Sequence, residues 1–319
     1  MSDCVILGRY IVYKRLQKDI DKFHIRRRKK RYKRTKGRVK AISIHNAFHH
    51  LLLPCIKVLR ILRRQNLYLI SDDRTTRTNK SIIYACTHIG GNDVECLFEA
   101  IKSPAFLFLG DPRELYVNLD GLMLYLNGVI CLDSYDKEDR YIAKQTAISL
   151  LRQGGNLMIY PEGAWNISEN LPVMGLFSET TEIAIASKAE IVPVAVERYA
   201  NSYYVSIGKN ISCVDYRMED KYYLTEILRN ELANLKWKLW ENNGITSRLH
   251  IHKDYKRLFL NEIFVEKDTS YTLKDVTDTM YKDKGVTLPR DAFAHLLDLK
   301  LNKQNAFLMR SVGEYKKHR

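Results

Sequence analysis

The chain has 319 residues, 45% of them hydrophobic, which is the composition of a globular protein with room for one large domain or two. None of its six cysteines forms a C-x-x-C pair, so neither a zinc site nor a disulfide framework is predicted. The net charge of +15 favours an anionic partner, and the lack of a long apolar run argues against a membrane-spanning helix and a secretory signal.

Residues 1–65 are predicted to form a basic, mainly helical lead-in. The densest charge lies in "RRRKKRYKRTKGRVK", residues 26–40. Such a run suits nucleic acid, an anionic membrane surface or a solvated arm. The apolar stretch that follows, residues 47–64, carries four basic side chains and has the pattern of a segment at a membrane interface, although a packing helix of the domain has the same pattern. The sequence leaves these alternatives open.

Residues 66–215 alternate short apolar, β-prone runs with helical stretches, which predicts an α/β fold with a mixed sheet flanked by helices. The predicted strands are 81–86, 105–110, 128–133, 156–161, 190–197 and 203–208. The predicted helices are 93–102, 119–128, 139–154 and 179–189. Residues 216–319 are predicted to be a mainly helical C-terminal extension, with helices at 222–243, 272–284 and 289–302.

A histidine and an aspartate stand five positions apart in "ACTHIGGNDVECLFEA", residues 85–100. On one continuous helix, side chains at this spacing do not share a face. Two glycines permit a tight turn between the strand that precedes His88 and the helix that begins at Asp93, and Asn92 and Glu95 are predicted to cap this helix. We therefore predict that Asp93 accepts a hydrogen bond from one ring nitrogen of His88 and leaves the other free as a base. The pair alone also fits a capping aspartate beside a histidine that bonds to backbone.

A second candidate lies in "NLMIYPEGAWN", residues 156–166. Pro161 ends the strand and Gly163 allows a sharp turn, so Glu162 is predicted to lie at a strand end. Ligands of open α/β sheets collect at the carboxyl ends of the strands, which makes Glu162 a candidate site residue. The alternative is a loop glutamate that holds backbone amides.

Four stretches, in this order, resemble the motifs of the glycerophospholipid acyltransferase family, the lysophosphatidic-acid-acyltransferase-like enzymes. The family's N-H-x-x-x-x-D is matched by "THIGGND", residues 87–93, and its G-x-I-F-I-D-R by "GVICLDS", residues 128–134. Its F-P-E-G-T-R-S is matched by "YPEGAWN", residues 160–166, and its apolar V-P-V-type strand by "IVPVAV", residues 191–196. Four ordered matches are far more specific than any single one.

The resemblance implies acyl transfer from an acyl-CoA or acyl carrier protein thioester to a hydroxyl group, with no metal or other cofactor. By this analogy His88 takes the proton of the acceptor hydroxyl, and Asp93 orients His88 and stabilises its imidazolium. The substrate-binding residues that the resemblance implies are Gly128, Asp133, Ser134, Glu162, Gly163 and Trp165. Loop N–H groups near Glu162 and Gly163 are expected to face the developing oxyanion.

The chain departs from the family at two positions. The family has an arginine at each of them, and these two arginines are linked to binding of the acceptor's phosphate. Ser134 stands at one of these positions and Trp165 at the other. The loss of both guanidinium groups argues against a phosphate-bearing acceptor, while Trp165 offers a flat apolar face that suits a sugar ring, a neutral glycerolipid or an acyl chain. Arg113, Arg140 and Arg152 are candidate substitutes for the phosphate grip.

We therefore expect a cytoplasmic, peripheral membrane acyltransferase whose acceptor is a lipid, a lipid-linked sugar or a polyol, and whose basic region contacts an anionic membrane surface rather than nucleic acid. One alternative is a nucleic-acid-binding protein on a non-catalytic α/β scaffold, for which the sequence carries no recognised motif. Another is a degenerate acyltransferase kept as a membrane-binding scaffold. Intact His88, Asp93, Glu162 and Gly163 argue against that degenerate form.

Overall fold

A mixed sheet flanked by helices forms the centre of the fold, as predicted, and within the described residues it has seven strands, one more than the six predicted. The computed structural model describes residues 22–75, 80–110, 115, 119–168, 171–244, 248–266 and 271–281. In chain order the strands are β1 (Asn66–Asp72), β2 (Ile82–Cys86), β3 (Phe106–Leu109), β4 (Val129–Cys131), β5 (Leu157–Ile159), β6 (Glu190–Tyr199) and β7 (Ser202–Ile207). Their order across the sheet is β1-β7-β6-β2-β5-β3-β4, and β6 and β7 run antiparallel while every other neighbouring pair of these described strands is parallel.

Helices lie on both faces of this sheet. Within the described residues they are α1 (22–35), α2 (Ile42–Leu62), α3 (Asp93–Ile101), α4 (Leu119–Asn127), α5 (Lys137–Arg152), α6 (Glu179–Ser187), α7 (Lys221–Asn243), α8 (Tyr255–Asn261) and α9 (Leu273–Thr279). The six predicted strands and the five predicted helices between residues 93 and 243 are confirmed to within two residues at each end. The predicted helix at 272–284 is present as α9 in its described part, and the one at 289–302 lies outside the described residues.

The strand pattern did not predict β1, which lies at one edge of the sheet and pairs with β7. Three of its four apolar residues, Tyr68, Leu69 and Ile70, are exposed by more than a third, and the fourth, Leu67, is partly buried. Because neither face of this edge strand is fully buried, its sequence lacks the alternation of apolar and polar residues that marks a half-buried strand.

Alternate residues of the central strands contribute to two separate cores. In β2, Ile83 and Ala85 belong to the core shared with α5, α6 and α7, whereas Ile82, Tyr84 and Cys86 belong to the core shared with α2 and α3. All five side chains are buried. Successive side chains of a strand point to opposite faces, so a strand covered on both faces has a continuous apolar sequence.

The helix α7 packs against one face of the sheet, the face that α5 and α6 also cover. Leu224, Leu228 and Leu232, four residues apart, are fully buried in the core that also contains α5 and α6. Residues at this spacing share one face of a helix. The first helix of the predicted C-terminal extension is therefore fastened to the sheet by its apolar face.

Candidate active site

The side chains of His88 and Asp93 meet across the turn between β2 and α3. His88 lies two residues beyond the end of β2, and Asp93 is the first residue of α3. Gly90 and Gly91 have φ angles of +79° and +67°, in the left-handed region that suits glycine. The turn places His88 Nδ1 2.7 Å from Asp93 Oδ2, so the predicted hydrogen bond is present.

The Asp93 carboxylate is held rigidly and has no exposure to solvent. Its Oδ2 accepts hydrogen bonds from the N–H groups of Ile89, at 2.9 Å, and Gly90, at 3.0 Å, in addition to the histidine. Its Oδ1 has no hydrogen-bond partner in the part of the chain that the structure describes. Three donors on a single oxygen fix the orientation of the carboxylate and, through it, the plane of the His88 ring.

Asn92 occupies the N-cap position of α3, as predicted, but the predicted capping by side chains is absent. The Asn92 side chain makes no cap hydrogen bond and donates instead to Gln65 Oε1, at 3.2 Å. Glu95 forms an ion pair with Arg63, at 2.6 Å. Both partners belong to the segment at the end of α2, so tertiary contacts replace the local capping pattern.

Glu162 joins the third motif to the backbone of the first. Its side chain has no exposure, Oε1 accepts from the N–H of His88 at 3.3 Å, and Oε2 accepts from the N–H of Met174 at 2.9 Å. Burial raises the pKa of Glu162, although these two N–H donors and the positive charge of Lys236 act in the opposite direction. The glutamate therefore has the geometry of a residue that positions His88, and direct contact of Glu162 with substrate stays a prediction.

Three further residues of the third motif surround His88. The ring of Tyr160 stacks on the imidazole, with centroids 3.9 Å apart, and Trp165 meets it edge-on at 6.1 Å. The N–H of Asn166 donates to His88 O at 2.7 Å. Tyr160 and Asn166 were not among the predicted site residues, since the motif pattern identifies which residue types recur and not which of them touch one another.

The third motif turns sharply at Gly163, as expected. Gly163 has a φ of +71°, and a Cβ atom at this position would overlap the ring of Phe177. Its N–H donates to Tyr160 O at 3.0 Å. This amide is therefore engaged in the turn, and any oxyanion donor must come from another loop N–H group.

The second motif lies two strands away from the third, because β4 is separated from β5 by β3. Asp133 and Ser134 follow the carboxyl end of β4, so they lie on the side of the sheet where the parallel strands end, as His88 does. The N–H of Asp133 donates to the buried Asp139 Oδ2 at 2.8 Å. Gly128 precedes β4 and therefore lies at the amino ends of the parallel strands, on the other side of the sheet from His88. A Cβ atom on Gly128 would come within 2.7 Å of a ring carbon of Phe106. The structure does not bring Gly128 together with His88, and its role in substrate binding stays a prediction.

The three candidate substitutes for the missing arginines lie in different places. The Arg140 guanidinium donates to the carbonyl oxygen of Ser134, in the second motif itself. Arg152 lies at the other end of α5 and donates to Ala186 O at 2.6 Å. Arg113 lies outside the described residues.

Comparison with known proteins agrees with the motif pattern. Residues 68–197 match the family model described as Acyltransferase, and this stretch contains all four motifs. Among solved structures, the chain is similar to the 1-acyl-sn-glycerophosphate (LPA) acyltransferase, PlsC, from Thermotoga maritima. That similarity has 14% sequence identity, covers 63% of this chain and 81% of that chain, and has a TM-score of 0.49. Comparison with curated proteins gives no match.

Proposed function

We propose that the chain, whose residues 68–197 match the Acyltransferase family model, moves a fatty acyl group from a thioester to a hydroxyl at a membrane surface. The donor is an acyl-CoA or an acyl carrier protein thioester, and the acceptor is a lipid, a lipid-linked sugar or a polyol. The observation that carries the proposal is the 2.7 Å contact between His88 Nδ1 and Asp93 Oδ2. Because the carboxylate engages Nδ1 as a donor, Nε2 bears the lone pair that accepts a proton.

The reaction follows from this pair. His88 Nε2 takes the proton of the acceptor hydroxyl while the hydroxyl oxygen attacks the carbonyl carbon of the thioester. A carbon–oxygen bond forms, the carbonyl electrons move onto oxygen, and Asp93 stabilises the imidazolium. Collapse of the tetrahedral oxyanion breaks the carbon–sulfur bond, and the imidazolium returns its proton to the leaving thiolate. The products are an ester and a free thiol, and these steps use no metal or cofactor.

Membrane docking is supported first by the distribution of charge on α1 and on the residues between α1 and α2. Two basic residues of α1 form ion pairs within the protein. Arg28 pairs with the buried Asp139 at 2.6 Å, and Lys29 pairs with Asp136 at 2.9 Å. The remaining cations include five exposed residues that line a depression of about 660 Å³ and that have no ion pair among the described residues. These are Arg27, Arg31, Arg34, Arg38 and Lys40, the basic face. Clustered cations without carboxylate partners attract phosphate groups.

An apolar stripe on α2 also supports membrane docking. Five exposed apolar residues recur at spacings of three, four and seven, which puts them on one face of the helix. These are Ile44, Leu51, Cys55, Val58 and Leu62, the apolar stripe. In the described part of the chain, no helix combines the length and the apolar content needed to cross a bilayer. A basic face followed by an apolar stripe suits the surface of an anionic bilayer, whereas a nucleic acid would leave the stripe uncovered.

Release of free thiol by the purified full-length protein tests the catalytic proposal. The protein is incubated with acyl-CoA and with neutral glycerolipid, sugar or polyol acceptors, and His88→Ala serves as the control. We expect acceptor-dependent thiol release and ester formation, reduced by about 100- to 10,000-fold in His88→Ala through loss of the general base. Unchanged turnover in His88→Ala would refute the mechanism. Vesicle binding without turnover on any acceptor or donor would instead favour the degenerate scaffold.

A further inference from the structure

Residues beyond the acyltransferase domain reach the third motif. We define the C-terminal strap as the described residues 262–266 and 271–281, which include a π-helical turn at Glu262–Glu266 and the helix α9. At one end of the strap, Glu262 pairs with Arg198 of β6 at 3.0 Å. Strand β6 is the neighbour of β2, so this ion pair fastens the strap close to the strand that leads to the catalytic turn.

The strap then covers the loop of the third motif. Val276 and Met280 pack in one apolar cluster with Ala164 and Met174 of that loop. A Cβ atom on Gly163 would come within 3.3 Å of the carbonyl oxygen of Thr279. The loop and the strap are thus in direct contact between Val276 and Met280.

Two aromatic residues of the strap hold Trp165. The ring of Phe264 lies 5.9 Å from the Trp165 ring, and the ring of Tyr271 lies 5.4 Å from it, at angles of 35° and 62°. On its other side the indole meets the first motif, where a Cβ atom on Gly90 would come within 3.0 Å of Trp165 Cδ2. Trp165 therefore lies between the strap and the turn that carries His88. Its indole ring meets the His88 imidazole edge-on.

We infer that the strap completes the active site and that Phe264 and Tyr271 are positioning residues, which fix Trp165 against the His88 turn. For its activity readout this inference rests on the proposed acyl transfer. Removal of two rings leaves space into which the indole can move, since packed side chains that lose their neighbours relax only in part. Displacement of a group that lines a reacting centre can lower turnover by about 100-fold even when the chemical groups remain.

The test compares two aromatic pairs in the full-length protein. One variant carries Phe264→Ala and Tyr271→Ala. The matched control carries Tyr255→Ala and Phe259→Ala, because these two rings stack on each other in α8, 6.0 Å apart, and their described contacts do not include Trp165. Hydrogen–deuterium exchange of residues 86–93 and 160–178 is measured without substrate, and kcat and the KM for the donor are measured with it.

We expect faster exchange in both segments and a lower kcat in the first variant, with little change in the control. Tyr271→Phe keeps the ring and is expected to have a smaller effect than the double change. The inference is overturned if both pairs have the same effect, or if the first variant leaves exchange and kcat unchanged. Exchange requires no turnover, so a failure of the proposed acyl transfer appears separately, as absence of thiol release by the unmodified protein.

Discussion

The ring of Tyr160 lies nearly parallel to the imidazole of His88, with the two ring centroids 3.9 Å apart and the planes inclined by 18°. Asp93 Oδ2 accepts a hydrogen bond from Nδ1 of the same imidazole. The stacking restrains the tilt of the ring and the hydrogen bond restrains its rotation within the ring plane. An aromatic face also attracts a cation, by about 0.5 to 2 kcal/mol. The stacking therefore favours the imidazolium that forms when His88 accepts a proton.

Replacement of Tyr160 separates its ring from its hydroxyl. The hydroxyl is buried and has no partner among the described residues. We therefore expect Tyr160→Phe to keep a near-normal kcat, and Tyr160→Leu to lose about tenfold, the equivalent of about 1.4 kcal/mol in the barrier. Steady-state thiol release measures both variants. Equal activity of the Phe and Leu variants would mean that the stacking has no catalytic weight.

Replacement of Asp93 by Asn tests the charge without removing the hydrogen bonds. The amide oxygen can take the place of Oδ2, which accepts three hydrogen bonds, and the amide nitrogen can take the place of Oδ1, which has no described partner. The fold is thus expected to tolerate Asp93→Asn. Turnover is expected to fall by about 100- to 10,000-fold, because a neutral amide does not stabilise the imidazolium. Near-normal turnover with an intact circular dichroism spectrum would contradict the assigned role of Asp93.

The part of the basic face that lies on α1 predicts which charges matter for membrane docking. We expect the triple change of Arg27, Arg31 and Arg34 to Gln to weaken binding to anionic vesicles by about 1 kcal/mol for each residue that touches the surface. Rising salt is expected to weaken binding by the unmodified protein. Co-sedimentation with vesicles of neutral and anionic lipid measures both effects.

The matched control for this change removes three charges from a neighbouring face of the same helix. Arg26, Lys30 and Lys33 are exposed and do not line the depression formed by the basic face. Their replacement by Gln is expected to weaken binding less. Equal weakening by the two triple changes would mean that only total charge counts, and tighter binding to duplex DNA than to vesicles would favour the nucleic-acid alternative.

A buried ion pair between α7 and β6 predicts a dependence of stability on pH. Glu197 Oε2 accepts from Lys236 Nζ at 2.8 Å and from Trp240 Nε1 at 2.7 Å. Burial alone would raise the pKa of Glu197, but Lys236 and Trp240 outweigh it and lower the pKa below the ordinary value of 4.5. A carboxylate whose pKa is lower in the folded than in the unfolded state contributes stability above the unfolded value, and this contribution is lost as the pH falls through the lowered one.

Glu197→Gln leaves Lys236 buried without its counter-charge. We expect the free energy of unfolding near neutral pH to fall by about 3 kcal/mol. The difference from the unmodified protein is expected to shrink as the pH falls below 4.5, the ordinary value of the carboxyl. Urea denaturation near neutral pH and below pH 4.5 measures this difference in the free energy of unfolding. Glu219→Gln, at an exposed carboxylate, is the control. A constant difference across this range would contradict the assigned ion pair.

The sequence was sufficient for the catalytic turn and insufficient for its supports. His88 and Asp93 were predictable because the strand, the glycines and the helix are contiguous in the chain, so local rules describe their contact. The hydrogen-bond partner of the Asn92 side chain was not predictable, because this partner, Gln65, lies in another part of the chain. The approach of Phe264 to Trp165 joins residues about a hundred positions apart, and no periodicity within either segment encodes it.

The acceptor's charge is the remaining property that the second and third motifs predict. Ser134 and Trp165 carry no cation at the two positions where the resembled family has arginine. A phosphate that loses water without a cationic partner is costly, so we expect weak turnover with glycerol 3-phosphate and lysophosphatidic acid and faster turnover with a neutral polyol or sugar. The double change Ser134→Arg and Trp165→Arg is expected to shift the preference toward the phosphorylated acceptor.

A side-by-side comparison of kcat/KM decides between this expectation and its opposite. A preference of the unmodified protein for lysophosphatidic acid by tenfold or more, about 1.4 kcal/mol in the transition state, would show that another cation replaces the missing arginines. Arg140 is then the residue to replace, because its guanidinium already donates to the carbonyl of Ser134. Arg140→Gln would abolish the preference, whereas Arg152→Gln would keep it, since Arg152 bonds to Ala186 at the far end of α5. Equal effects of the two changes would place the phosphate away from the second motif.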